Sequence, residues 1–196
     1  PTAELLEYLE QRWLGGDLQK EAVFSDRLDR YVAIGIAPAH SLQNPGLTQG
    51  KSINTSEDES EILAHSESDR LLFSVFKNMG ILSVGNLISF RRADQPMSNR
   101  SLAVVNELIV AKQSNRISFG INLITSRYYA VHYVMANATD KDVPLKGLFY
   151  NDEEQLDETS FLIVDSFMLK DGDTIKMQLG QENIFLVLKD KKNVGL

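Results

Sequence analysis

Residues 83–124 read SVGNLISFRRADQPMSNRSLAVVNELIVAKQSNRISFGINLI. Three runs dense in β-branched and aromatic residues, SVGNLISFRR, SLAVVNELIVAK and RISFGINLI, are broken by polar turn stretches at 94–99 and 112–115. Short apolar runs bounded by Asn, Asp, Ser and Pro read as β-strands joined by short connections. The pattern continues downstream through YYAVHYVMA, VPLKGLFY, TSFLIVDSFML, TIKMQLGQ and NIFLVLKDKK, with turn signals at 137–142, 151–157 and Asp171-Gly172-Asp173. So many short strands with so few helices imply a closed barrel or a sandwich. From about residue 70 onward the chain reads as one continuous small barrel after a helix.

Upstream the pattern changes. Leu71, Leu72, Val75 and Phe76 recur at helical spacing before Gly80, which predicts a helix over about 67–79. RYVAIGIA, residues 30–37, is rich in strand-forming residues and closed by Pro38, which predicts a strand. Residues 41–61, SLQNPGLTQGKSINTSEDESE, are polar, carry Gly and Pro, and turn acidic toward their end. This composition predicts an acidic, flexible insertion at about 42–66. Residues 2–14, TAELLEYLEQRWL, place Leu5, Leu6, Leu9, Trp13 and Leu14 near a 3.6-residue period, and Gly15-Gly16 ends the helix they predict. That stripe serves either the molecule's own core or pairing with another chain. Because the chain opens at Pro1 within a helical pattern, an upstream region is expected. The domain reading is therefore an N-terminal helix and linker at 1–24, then a barrel domain at 25–196.

Composition bounds function. The chain has 196 residues, is 43% hydrophobic and carries a formal net charge of −7. That size supports one buried core plus an appendage. The acidic balance disfavours nucleic acid and anionic membrane, both of which need a basic footprint. No cysteine is present, which removes disulfides, thiolate nucleophiles and Cys-based zinc sites and points to the cytoplasm. No signal peptide and no bilayer-length apolar run is found, so no membrane partner is expected.

The strand order carries a resemblance. Arg27 and Arg30 in DRLDRYVAIGI stand just before the first strand. Asp58-Glu59-Ser60 in DESEIL, or Asn54-Thr55-Ser56 in NTSEDE, follows it, and SVGNLISF and ELIVAK…RISFGINLI come after. In this order the chain resembles the PilZ domain, in particular its atypical, sequence-degenerate branch. PilZ domains are bacterial modules that bind the second messenger cyclic di-GMP. The arginine pair is similar to the family's RxxxR signature, here one residue shorter. The turn is similar to its D/NxSxxG motif, with Glu59 or Leu63 where that motif ends in glycine. The resemblance implies a mainly β fold, a small closed Greek-key barrel of six or more strands, with the N-terminal helix and one further helix beside it. It implies cyclic di-GMP as candidate ligand, held by Arg27, Arg30, Asp58 and Ser60. Read from the residues, Arg91, Arg92 and Arg100 around one turn either join Arg27 and Arg30 in one basic patch, which adds Arg91 and Arg92 to the candidate ligand residues, or are scattered surface arginines.

The chemistry of that ligand sets the requirement. A cyclic dinucleotide offers phosphates and guanine edges that arginine forks pair with bidentately and on which they stack. Six acidic residues against two basic ones between Lys51 and Arg70 oppose phosphate there. The stretch therefore reads either as a nucleotide turn or as a solvated, partner-contacting loop. His40, His65 and His132 show no metal spacing, and the acidic stretch Asp152, Glu153, Glu154, Asp157, Glu158 lacks the pattern of a calcium loop. No GxSxG elbow and no glycine-rich phosphate loop occurs, so no enzyme and no cofactor is expected. The expected function is a non-catalytic regulatory domain that acts through protein–protein interaction and takes cyclic di-GMP as candidate ligand. Its partner is another protein or an upstream region of the same chain. An oligonucleotide- or oligosaccharide-binding barrel is the alternative.

Overall fold

The computed structural model describes residues 23–43, 61–76, 81–111, 115–139, 141–151, 159–166 and 168–192. The predicted helix at 2–14 lies outside them, as do Asp58, Ser60 and the acidic stretch at 152–158. The described elements are β1 (Arg30–Ile34), α1 (Ile36–Gln43), β2 (Ile62–Ser66), β3 (Leu71–Val75), β4 (Leu87–Arg92), β5 (Ser101–Val110) and β6 (Arg116–Thr125). β7 (Tyr129–Met135), β8 (Leu145–Asn151), β9 (Ser160–Val164), β10 (Thr174–Leu179) and β11 (Glu182–Val187) follow.

The mainly β architecture expected from the sequence is present, divided between two sheets. The first six strands close an antiparallel barrel in the order β1-β2-β3-β6-β5-β4, with β4 pairing back onto β1. Strand β4 lies beside β1, followed by β2 and β3, which is the spatial order of a Greek key. The last five strands do not extend this barrel. They form a separate sheet in the order β11-β10-β7-β8-β9.

Alternation builds the barrel interior. Val32, Ala64, Leu72, Phe76, Ile88, Phe90, Ala103, Val105, Ile117, Phe119 and Ile121 point inward, with Phe24 and Leu82 closing over them. The ten-residue strands β5 and β6 stay paired while curving because their register slips twice, between Leu102 and Ala103 and between Val105 and Glu107.

Residues 71–75 are strand β3, not part of the helix predicted over 67–79. Leu72, Ser74 and Phe76 are the buried set, alternating with Leu71, Phe73 and Val75. Ser74 hides the period of two, since it is polar and faces inward, where its hydroxyl donates to Leu63 O at 2.8 Å. Residues 62–66, at the end of the predicted flexible insertion, form β2 between β1 and β3.

The predicted strand at 30–37 also divides. β1 stops at Ile34, Gly35 takes φ +93°, and the chain turns into α1. Only glycine adopts that φ without strain. Pro38 falls in the first turn of α1, where a missing N–H costs no helical hydrogen bond. Among the described residues α1 is the only α-helix.

Helix α1 joins the two sheets. Ala39 packs with Leu102 and Tyr128 from the barrel side and with Leu148 and Ile163 from the second sheet. The far side of the second sheet has its own core of Val131, Tyr133, Leu169, Ile175 and Met177.

Candidate functional site

The β1–β4 ladder assembles the predicted arginines. Its register sets Arg30 opposite Arg92 and Tyr31 opposite Arg91, at the barrel end where β1 begins. Of the six predicted site residues, Arg30 and Arg92 thus share one face at the start of β1, Arg91 stands on the opposite face, and Arg27 lies in the turn before the strand. Asp58 and Ser60 lie outside the described residues. Leu63, one of the two candidates for the closing glycine of the turn, sits within β2 opposite Tyr31.

Each guanidinium in the ladder already holds a carboxylate. Arg30 is buried, at 4% exposure, and its Nη2 donates to both oxygens of Asp26 at 2.7 and 2.8 Å. Its Nη1 donates to Leu28 O at 2.6 Å. Arg92 forms a two-pronged pair with Asp94 at 3.0 and 2.7 Å and lies 3.8 Å from Asp26. Arg91 grips both oxygens of Glu61 at 2.9 and 2.8 Å, donates to Gln95 O at 2.7 Å, and stacks on the Tyr31 ring at 4.4 Å. Arg27 differs from these. It is exposed, with φ +53°, in the turn that precedes β1.

Arg100, which the sequence sets around the same turn as Arg91 and Arg92, is the most buried of these arginines. It is 1% exposed, and its Nη1 pairs with the same Glu61 that holds Arg91. Its Nε donates to Ser89 Oγ at 2.6 Å and its Nη2 to Ser89 O at 3.0 Å. The Ser89 hydroxyl lies 2.7 Å from Tyr128 Oη, and Tyr128 donates in turn to Ala39 O at 3.1 Å. A continuous polar chain thus runs from Glu61 through Arg100, Ser89 and Tyr128 to the backbone of α1. The sequence placed Arg100 near a turn, but nothing in it marked Glu61 or Ser89 as its partners, which stand 39 and 11 residues away.

Electrostatics follow the contacts. Burial pushes the Glu61 carboxyl up, but hydrogen bonds from Arg91 and Arg100 and their charges outweigh it and hold its pKa below the ordinary glutamate value. Asp26 behaves alike: burial raises it, and Arg30 and the Leu28 amide bring it below the ordinary aspartate range. Burial raises the Tyr128 phenol against the Ser89 contact. These groups are ionised acids and a neutral phenol at neutral pH, with no poised general base among them. A phosphate approaching the ladder arginines must displace a bonded carboxylate.

A shallow concavity of about 460 Å³ borders the network, lined by Gln43, Asn99, Arg100, Arg127 and Tyr129 among others. A second pair of titratable groups joins α1 to the other sheet. His40 and His132, in unlike sequence contexts, meet edge to face with ring centroids 4.7 Å apart. Among the described residues no group of three or more His, Asp or Glu is placed to hold a metal ion. No helix among them is long and apolar enough to cross a membrane.

No family model matches this chain, and neither a curated protein nor a solved structure matches it.

Proposed function

We propose that this chain is a non-catalytic regulatory domain of PilZ-like type whose present role is to bind another protein rather than cyclic di-GMP. One observation carries this reading: Arg30, Arg91 and Arg92, the ladder arginines that the resemblance and its extension offer to the ligand, already pair with Asp26, Glu61 and Asp94 of the same chain. Taking a dinucleotide would mean breaking the Arg30–Asp26 and Arg91–Glu61 pairs, in which the arginines are buried or nearly so, and leaving those carboxylates unpaired beside phosphate. The six-stranded Greek-key barrel and the arginines at the start of β1 support the family, while the filled arginine forks support loss of its ligand. The net charge of −7 supports protein over nucleic acid as the partner.

The test is calorimetric titration of the whole chain with cyclic di-GMP. The expected result is no detectable heat at ligand concentrations up to about 100 μM, corresponding to binding weaker than about −5.5 kcal/mol. Tight, salt-sensitive binding that Arg27→Ala or Arg30→Ala abolishes overturns the reading and restores the nucleotide-binding role. Arg116→Ala, in a residue that pairs with Glu67 away from the cluster, serves as the control.

A further inference from the structure

The second sheet ends at β11, which pairs only with β10 among the described residues. The two strands join through Gly180 and Gln181, with Gly180 at φ +63° and Leu179 opposite Glu182. A two-residue turn with glycine first is the type II′ hairpin pattern. Residues flanking such a turn exchange backbone hydrogen bonds, and the exchange repeats at every second residue. Glu182, Ile184 and Leu186 therefore direct N–H and C=O toward β10. Leu188 keeps the same parity, its N–H donating to Asp173 O at 2.8 Å.

Asn183, Phe185 and Val187 consequently direct their backbone groups outward along the open edge. Their side chains are also exposed, Phe185 at 64% and Val187 at 58%. They occupy the sheet face that carries Lys176, Val134 and His132 by register, and which α1 covers at His132 and Leu148. The exposed stripe is thus, among the described residues, the uncovered end of a face that α1 buries elsewhere. The devices that blunt natural edges are missing from Glu182–Val187: it has no proline, no lysine and no bulge.

We propose that β11 is a self-docking strand, which pairs antiparallel with β11 of a second copy and joins two five-stranded sheets into one. The self-complementarity of the strand selects this occupant. Centred on Phe185, the pairing sets Phe185 against Phe185 of the second copy, Asn183 against Val187, and Ile184 against Leu186. The single charge in the strand, Glu182, meets Leu188. Sliding by two residues in one direction carries Glu182 beyond the end of the strand, toward Asp190, whose φ of +56° leaves the extended conformation, and so shortens the overlap. Sliding in the other direction shortens the overlap and sets Phe185 against Asn183. In the centred register the outward N–H and C=O groups of Asn183, Phe185 and Val187 all find partners. A single edge pairing buries less than a standard interface of about 1,600 Å², so the dimer forms reversibly with concentration.

Sedimentation velocity of the whole chain from about 1 μM to about 1 mM should show the average mass rising toward that of two chains, spanning the range of a weak complex. Phe185→Lys should weaken association at least about tenfold by placing like charges opposite each other, with an unchanged melting temperature because Phe185 is exposed. The chain has no cysteine, so single-cysteine variants read the register directly. Phe185→Cys should form a disulfide-linked dimer on mild oxidation, since Cα atoms in a hydrogen-bonded pair stand about 5.5 Å apart. Asn183→Cys alone should not, because its copies stand about 13 Å apart along the strands. Asn183→Cys mixed with Val187→Cys should cross-link. A wild type that stays monomeric throughout, association that Phe185→Lys leaves intact, or equal self-linking at 183 and 185 overturns the proposal.

Discussion

Acidification should destabilise this protein through His40 before its ion-paired carboxylates, Glu61 and Asp26, titrate. His40 lies on α1 at 3% exposure, its Nε2–H donating to Val131 O at 3.0 Å. It faces His132 edge-on across 4.7 Å, and Lys146 stands opposite His132 in the β7–β8 ladder. Burial first, then the neighbouring His132, lowers its pKa from the ordinary 6.5 to about 4. The folded value lies below the unfolded one, so as pH falls the unfolded chain takes up the proton first. Stability is complete above about pH 6.5 and declines through the window down to about pH 4, after which this group takes no more.

Lowering the imidazole from 6.5 to about 4, at 1.36 kcal/mol per pH unit, makes the loss at most about 3.4 kcal/mol. That is a large part of the 5–15 kcal/mol typical of a domain. Urea unfolding at half-unit steps between pH 8 and 4 measures it. His40→Gln keeps a donor for the Val131 carbonyl and removes its titration, so its stability should fall much less over the same window, the remainder coming from His132. His132 shifts in the same direction, by burial and then Lys146, and His132→Gln should remove a smaller part of the slope. Glu61 and Asp26 have lowered values and act in a lower window, losing their contribution only as pH falls below the ordinary carboxylate range. Equal pH slopes in wild type and His40→Gln would refute the reasoning.

Two further substitutions probe the polar chain beneath α1. Glu61→Ala leaves Arg100 buried without its carboxylate and should cost about 3–5 kcal/mol, read as a fall in the urea midpoint at constant m-value. A loss under about 1 kcal/mol would mean that solvent reaches Arg100. Tyr128→Phe removes the hydroxyl linking Ser89 to Ala39 O and should cost about 1–3 kcal/mol, with hydrogen exchange in α1 faster than in the barrel strands.

The strands from residue 83 onward were legible because their turns are written in Asn, Asp, Gly and Ser and their lengths are short. Each of the eight runs quoted covers one of β4 through β11, missing at most one end residue. What the pattern could not supply is which strands share a sheet. Alternation says that a strand has an inside, and it says nothing of which neighbour covers it. Hence the barrel closes after β6, and the last five strands build a sheet of their own. β3 was misread for a local reason. One inward serine, satisfied by the Leu63 carbonyl, erased the alternation and left two apolar pairs at helical spacing. α1 was misread because Ile34 and Ile36 flank Gly35 and look continuous, although the glycine conformation ends the strand between them.

The arginine cluster shows the same limit in chemical form. The sequence offered Arg27, Arg30, Arg91, Arg92 and Arg100 either as one basic patch or as scattered surface arginines, and the β1–β4 register sets Arg30 beside Arg92 on one face of the sheet and Arg91 beside Tyr31 on the other. The charge balance ran the other way. The acidic stretch before β2 reads as a repulsive surface next to a phosphate site, yet its residue Glu61 is the shared counter-charge of Arg91 and Arg100. Asp26 was within reach of inference, because it stands four residues before Arg30. Glu61 was not, since it meets Arg91 across 30 residues and Arg100 across 39. An arginine fork that binds phosphate and one that clamps its own barrel have the same sequence signature. They differ in the carboxylates within 3 Å, and those are fixed by strand register rather than by local spacing. In this chain Arg30, Arg91, Arg92 and Arg100 have their counter-charges from within, which makes them clamps on the barrel end and turns the search for a partner toward β11, whose outer edge pairs with no strand among the described residues.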